Sequence, residues 1–182
     1  MTEVLVAGGG IAGTVAAMAL QRAGYRPTVY EAYPSGGEDA GAFLTVGPNG
    51  MLALDQIGVR EPVIEAGFPI TALDLADDRG RRIAKVPIGG PSSTMAGYHN
   101  MRRADLYRVL QREAENKGIP VRHGKRLADA SVHDQGVTVT FTDGSRADGD
   151  MLVGADGLRS TVRGCVGPAN GPVYSGELVF YG

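Results

Sequence analysis

Hydrophobic and polar positions along the chain change period several times, and each change marks an element. Val4-Leu5-Val6-Ala7 is an unbroken apolar run, the pattern of a strand covered on both faces. Thr14 to Ala23 is rich in helix formers, and Gly24 stands where that helix would stop. Pro27-Thr28-Val29-Tyr30 predicts a second strand. Residues 33–47 are glycine-rich and polar and read as a loop. From Asn49 to Ile57 apolar residues recur at helical spacing, with Gly58 as the stop, and a further helix is expected near Glu61 to Ala66.

The second half continues in the same manner. Ile70 to Ala76 and Arg82 to Val86 alternate on either side of Asp77-Asp78-Arg79-Gly80, which predicts a hairpin, and Gly89 to Ser93 is a loop. Arg103 to Ala114 is an amphipathic helix with Leu106, Val109, Leu110 and Ala114 as its buried stripe and Gly118 as its end. Ile119 to Arg122 is a short strand returning to the sheet. Lys125 to Val132, Gly136 to Thr142 and Arg146 to Asp148 predict a three-stranded antiparallel meander, with the turn dipeptide Asp143-Gly144 in its second connection. Asp150 to Gly154 predicts a buried strand, Ser160 to Arg163 a short helix, and Val173 to Tyr181 a strand. No internal repeat is present.

Between the first strand and the first helix lies Gly8-Gly9-Gly10-Ile11-Ala12-Gly13, with the spacing G-x-G-x-x-G, and Glu31 closes the second strand. Each position has a physical task. Gly8 permits the tight turn, Gly10 lets a pyrophosphate approach the backbone, and Gly13 lets helix pack closely on strand. Ile11 and Ala12 open the helix, whose free N–H groups and positive dipole end favour phosphate. Glu31 is placed to accept hydrogen bonds from the hydroxyls of an adenosine ribose, and its charge would repel a 2′-phosphate. These residues point to FAD or NAD rather than NADP. The bland alternative, a βα turn without a ligand, is disfavoured because strand, turn, helix and acid occur in order.

Composition narrows the class. With 182 residues the chain has the length of one domain with a real core. A net charge of −2 with no basic run gives no reason to expect nucleic acid. Cys165 is the only cysteine, so no internal disulfide forms, which fits a cytoplasmic location. No apolar stretch approaches membrane-spanning length. His99, His123 and His133 are scattered without metal-ligand spacing and are expected on the surface or in loops; no metal is expected. There is no G-x-S-x-G elbow, and Asp77-Asp78 reads as a solvated turn.

Taken together these motifs resemble the class A flavin-dependent monooxygenases, the p-hydroxybenzoate hydroxylase-like aromatic hydroxylases. Gly8 to Gly13 with Glu31 is similar to the family's FAD fingerprint. Gly41 to Leu44 with Gly47 to Leu54 resembles its loop and helix near the flavin. Arg103 with Leu106 and Leu110 resembles its Arg-x-x-Leu helix start, and Asp150 to Arg163, containing Asp156-Gly157, its Asp-Gly motif. The resemblance implies an α/β fold: a Rossmann-like FAD-binding domain of the glutathione reductase type, with a β-meander and the start of an antiparallel substrate sheet. It implies FAD as cofactor, NADH or NADPH as electron donor, and hydroxylation of an aromatic or polyketide-like small molecule. Arg103 would offer its guanidinium to the pyrophosphate or a ribose oxygen, with a surface pair to Asp105 as the bland reading. Asp156 would serve around FAD and in NAD(P)H use. Leu127 would sit where backbone meets the adenine, a core leucine being its bland reading. The cofactor carries the chemistry in such enzymes, so no catalytic acid or base is assigned.

The chain departs from the family in two ways. Ala32 stands where a basic residue commonly follows the ribose acid, and a second Gly-Asp motif is absent. Residues 1–182 are thus expected to form an FAD-binding domain incomplete relative to the family, with 70–100 and 173–182 belonging to the substrate-binding sheet. Three explanations stay open: a fragment of a longer monooxygenase, half of a split enzyme completed by a second chain, or a self-contained nucleotide-binding module without turnover. An NAD-dependent dehydrogenase is allowed by the opening motif, although the meander and Asp-Gly string that follow do not resemble the usual continuation of such enzymes; tight NADH binding without flavin would favour it.

Overall fold

A computed structural model describes residues 1–35, 42–88, 97–167 and 171–177. In chain order its elements are β1 (Glu3–Ala7), α1 (Ile11–Arg22), β2 (Arg26–Tyr30), β3 (Phe43–Val46), α2 (Pro48–Gln56), α3 (Arg60–Glu65), β4 (Phe68–Ile70), β5 (Ala72–Ala76), β6 (Arg82–Pro87) and β7 (Tyr98–Arg102). There follow α4 (Arg103–Asn116), β8 (Val121–Arg122), β9 (Leu127–His133), β10 (Gly136–Phe141), β11 (Arg146–Gly149), β12 (Met151–Gly154) and α5 (Thr161–Val166). They fall into two compact units: Met1–Ala40 with Leu110–Gly182, and Gly41–Val109.

The first unit is built on a parallel sheet in the order β12-β1-β2-β8. Strand β1 lies inside it, paired with β2 from Glu3 to Ala7 and with β12 from Val4 to Ala7. That position explains its unbroken apolar sequence: both faces are covered. Leu5 and Ala7 enter a core cluster with Leu127, Val137, Val139, Phe141 and Val162, supplied by the antiparallel meander β11-β10-β9 and by α5. Val4 and Val6, also buried, point to the opposite face by the two-residue period. The burial of β10 alternates strictly, with Val137, Val139 and Phe141 facing inward. Each such side chain stabilises the unit by about 1.5–3 kcal/mol. Phe141 also stacks on Tyr30 at 4.8 Å between centroids, worth about 0.5–1.5 kcal/mol more.

The second unit carries an antiparallel sheet in the order β3-β7-β4, the hairpin β5-β6 and helices α2 and α3. Met51, Val59 and Val63 are fully buried there. Helix α4 begins in this unit and ends in the first, and all four residues of its expected stripe, Leu106, Val109, Leu110 and Ala114, are buried.

Several expectations need correction. Phe43 to Val46 form a strand, not loop, because β7 gives them a ladder from Phe43↔Arg102 to Val46↔His99. His99 is buried in the central strand of that sheet rather than exposed, and its Nδ1 lies 3.3 Å from the Gly97 carbonyl oxygen. Strand β12 is paired as expected but is not buried: Met151 is 43% exposed, because among the described residues β12 has a neighbour on one edge only. Val173 to Glu177 form no strand, and 178–181 lie outside the described residues, as does the loop expected at 89–93.

The tip of the meander carries a small charge network. Asp143 accepts hydrogen bonds from Lys125 Nζ at 2.6 Å, from Ser145 Oγ at 2.6 Å and from Ser145 N at 2.9 Å. The Lys125 bond, then those of Ser145, hold its carboxyl well below the usual carboxylate range. A carboxylate whose folded value is depressed contributes stability that is complete above its unfolded value and is lost as pH falls through the folded one. Asp143→Asn is therefore expected to lower the melting temperature at neutral pH, and the gap to wild type should close as pH is lowered below the ordinary carboxylate range. Melting curves across that range check this.

Candidate functional site

The candidate site forms where β1 ends. The Gly8 N–H donates to Tyr30 O at 2.8 Å and the Ala155 N–H donates to Ala7 O at 2.8 Å, so the turn leaves the sheet between the ends of β2 and β12. Gly8 has φ +101°, a left-handed conformation that suits glycine, and a Cβ on it would overlap the Ala155 carbonyl. Gly13 is one turn into α1, and a Cβ there would overlap the Gly8 carbonyl oxygen. Helix and turn are in backbone contact, and only glycine leaves room.

Helix α1 starts with Gly10 as its N-cap and no side chain caps it. Among the described residues, the N–H groups of Gly10, Ile11, Ala12 and Gly13 have no acceptor. Four free donors at a helix start, with the positive end of its dipole, form an anion cradle. Space is present as well: a Cβ built on Gly10 meets nothing within 4 Å. A pyrophosphate fits this donor set.

Glu31 follows directly after β2 and is 5% exposed. Its Oε2 accepts the Gly9 N–H at 2.7 Å and its Oε1 accepts the Tyr33 N–H at 2.8 Å. These two bonds offset the cost of burying a carboxylate. Each oxygen retains acceptor capacity, which is what two ribose hydroxyls need. On the other side of Gly9, Gln111 Nε2 donates to the Gly9 carbonyl at 3.1 Å.

The remaining expected residues separate. The Asp156 backbone abuts Gly8, but its carboxylate faces α5: Oδ1 accepts from Ser160 Oγ at 2.6 Å, and Oδ2 from the N–H groups of Thr161 at 2.6 Å and Val162 at 3.2 Å. Ser160 caps the same helix by accepting the Arg163 N–H at 3.0 Å. A cleft of about 370 Å³ opens beside these residues, lined by Leu152, Gly154, Asp156, Ser160, Val162 and Arg163, with no glycine-turn residue in its wall. Leu127 is buried in the core cluster at the start of β9. Arg103 is the first residue of α4 and belongs to the second unit; its N–H donates to Ala42 O at 2.9 Å. Beside it Asp105 is held by Arg102 Nε at 2.7 Å and Arg108 at 2.8 Å, and the Arg102 bond keeps its carboxyl below the usual range.

The family model described as FAD binding domain matches residues 1–178. The chain belongs to the FAD binding domain family. It is 34% identical over 182 residues to 3-hydroxybenzoate 6-hydroxylase 1 of Aquipseudomonas alcaligenes, covering 98% of this chain and 46% of that protein. It is 34% identical over 180 residues to the aurachin C monooxygenase/isomerase of Stigmatella aurantiaca, again 98% of this chain and 46% of the relative. The crystal structure of Klebsiella pneumoniae HpxO complexed with FAD and uric acid superposes with a TM-score of 0.74 at 29% identity, over 89% of this chain and 41% of that one. The chain thus spans somewhat under half the length of the relatives it matches. The resemblance to class A flavin monooxygenases and the Rossmann-like fold read from the sequence are borne out.

In this FAD-binding domain the nucleotide read from the glycine turn is FAD, and the turn, Glu31 and the start of α1 form one local constellation. Sequence reasoning missed Gln111. It flanks the apolar stripe of α4 next to Leu110, and a polar side chain at that boundary is the one signal that could have found it. It also missed that Ala155, not the Asp156 side chain, packs on the turn.

Two glycine substitutions should separate packing from binding. Gly13→Ala is expected to destabilise the domain severely, by more than about 3 kcal/mol, since backbone must move. Gly10→Ala should leave the melting temperature near wild type but weaken FAD by about tenfold, near 1.4 kcal/mol, because its methyl enters the pyrophosphate space. Thermal melts and FAD titrations of both variants check this.

Proposed function

We propose that the chain is the FAD-binding portion of an NAD(P)H-dependent flavoprotein monooxygenase that hydroxylates an aromatic or polyketide-like small molecule. The observation that carries this reading is the anion cradle at Gly10–Gly13 set beside a buried carboxylate at Glu31, in a chain matched by the FAD binding domain family over 1–178. Relatives aligned along nearly the whole chain support the reaction class: one is a 3-hydroxybenzoate 6-hydroxylase, and a structural neighbour was solved with FAD and uric acid. FAD held by the glycine turn and Glu31 would supply the redox chemistry, as hydride acceptor and partner of oxygen.

The chain's own residues do the holding. The N–H groups of Gly10 to Gly13 receive the pyrophosphate, Glu31 receives the ribose hydroxyls, and Gly13 keeps α1 close enough for both. The Arg103 guanidinium adds charge toward the phosphates or a ribose oxygen. The backbone at Leu127 meets the adenine. Asp156 acts through the helix start it braces, setting the direction of the segment 155–160 in FAD contacts and NAD(P)H use. The described strands between residues 70 and 100 contribute to the substrate-binding sheet, whereas 173–177 form no strand and 178–182 lie outside the described residues.

A second reading is a nucleotide-binding module without turnover of its own; the chain spans about 46% of the relatives it matches. Both readings require FAD binding, and one assay shows whether this chain turns over by itself. The chain mixed with FAD, NADH and oxygen is followed at the NADH absorbance. Sustained FAD-dependent oxidation supports a working enzyme; FAD binding without oxidation supports the module or a portion needing further sequence, in the same polypeptide or a second chain. Glu31→Ala is expected to weaken FAD at least tenfold, since hydrogen bonds to a charged group contribute about 1.5–3 kcal/mol. Glu31→Gln should lose less. Unchanged affinity in both would remove the site. No helix among the described residues is long and apolar enough to cross a membrane.

A further inference from the structure

We infer that Gln111 is a positioning residue for the nucleotide turn, acting through the peptide unit between Gly9 and Gly10, beside the Glu31 carboxylate that holds the Gly9 N–H; this deepens the FAD-binding reading and rests on it. The geometry is a clamp on one residue from two elements distant in sequence. The Gly9 N–H is held by Glu31 Oε2 at 2.7 Å, and the Gly9 carbonyl by Gln111 Nε2 at 3.1 Å. The fit is close on both sides: a Cβ on Gly9 would stand 3.0 Å from Glu31 Oε2 and 3.2 Å from Gln111 Nε2.

Two consequences follow from the peptide bond itself. The Gly9 carbonyl and the Gly10 N–H belong to one planar trans unit and point in opposite directions. Holding the carbonyl therefore aims the Gly10 N–H, which is the first of the four free donors at the start of α1. Glycines on both sides of that unit leave it free to rotate, so without a fixed partner its orientation would be averaged. Gln111 can hold it because its own backbone is anchored by Leu110 and Ala114, both 0% exposed. The amide side chain is also matched in kind: it donates to the carbonyl without placing a charge beside the Glu31 carboxylate.

The test uses the 182-residue chain, with FAD and, separately, ADP as probes, since ADP carries the ribose and pyrophosphate and no flavin. Gln111→Leu keeps the size and removes the donor. It is expected to weaken FAD and ADP by a common factor of about fivefold, the effect of one net hydrogen bond, with a melting temperature within about 2 °C of wild type. Gln111→Glu should lose more at neutral pH, where the introduced carboxylate has no proton to give. Its penalty relative to wild type should shrink as pH falls from about 8 through the ordinary carboxylate range at about 4 and the introduced carboxyl regains a donor. A helix residue with a merely structural role would give no such pH dependence. Should Gln111→Leu fail to fold, Gln111→Met gives the same readout. The inference is overturned if a folded donor-less variant binds both probes within about twofold of wild type, or if the loss is confined to FAD while ADP is unaffected. Failure of the wild-type chain to bind FAD would instead remove the underlying site, so the two failures are told apart.

Discussion

The carbonyl oxygen of Gly8 occupies the place that a Cβ of Gly13 would take. That single close approach fixes how α1 leaves the sheet, and the nucleotide site follows from it. With backbone against backbone, the free N–H groups of Gly10 to Gly13 emerge directly above the ends of the parallel strands. The turn itself is wedged from the other side by Ala155, at the end of β12. A larger residue at Gly8 or Gly13 would therefore displace the donors as well as cost packing energy. Binding geometry and fold stability share the same atoms here, which is why only Gly10, with open space above it, separates the two.

The buried carboxylate of Glu31 depends on this arrangement in turn. In an apolar surrounding it would be costly. It stays because the strand end presents two N–H groups to it, Gly9 from the turn and Tyr33 from the segment that follows β2. The same strand end is tied into the neighbouring chain, with the Glu31 N–H on Arg122 O and its carbonyl receiving the Lys125 N–H. The meander then closes the opposite face of β1 through Leu5 and Ala7. The Glu31 carboxylate is thus held by backbone N–H groups, and each of its oxygens retains acceptor capacity.

Much of the first unit was legible in the sequence because its determinants are local. Glycine spacing, the helix formers after it, the apolar run of β1 and the Asp143-Gly144 turn each act within a few residues. The second unit was less legible. Strand β7 reads Tyr98-His99-Asn100-Met101-Arg102, polar at three positions, and it is a strand because Phe43 to Val46 and Phe68 to Ile70 pair with its two edges. Neither partner is near in sequence, and no periodicity within five residues announces them. His99 was misplaced for the same reason: burial came from the sheet around it. Strand β12 erred in the other direction. Its apolar sequence suits a strand covered on both sides, yet among the described residues one edge is open. In the candidate site the glycine turn and Glu31 come together as one local constellation, while the Gln111 contact was not legible, since it spans 102 positions.

The Asp-Gly string is tied into the fold through its carboxylate. Its aspartate satisfies the first N–H groups of α5 and the Ser160 hydroxyl, so the carboxylate is committed to a helix of six residues. Such a short helix has little intrinsic stability and needs its cap. Val162 of that helix lies in the same core cluster as Leu5 and Ala7, and a Cβ on Gly154 would stand 2.7 Å from its side chain. Removing the carboxylate would therefore loosen α5, then the 155–156 backbone that wedges Gly8. The aspartate carboxylate is thus linked to the glycine turn through α5 and the 155–156 backbone. Its amide variant retains one acceptor oxygen for the Thr161 N–H, so it would preserve more of the turn than an alanine, whereas the two would lose equally if charge alone were what mattered.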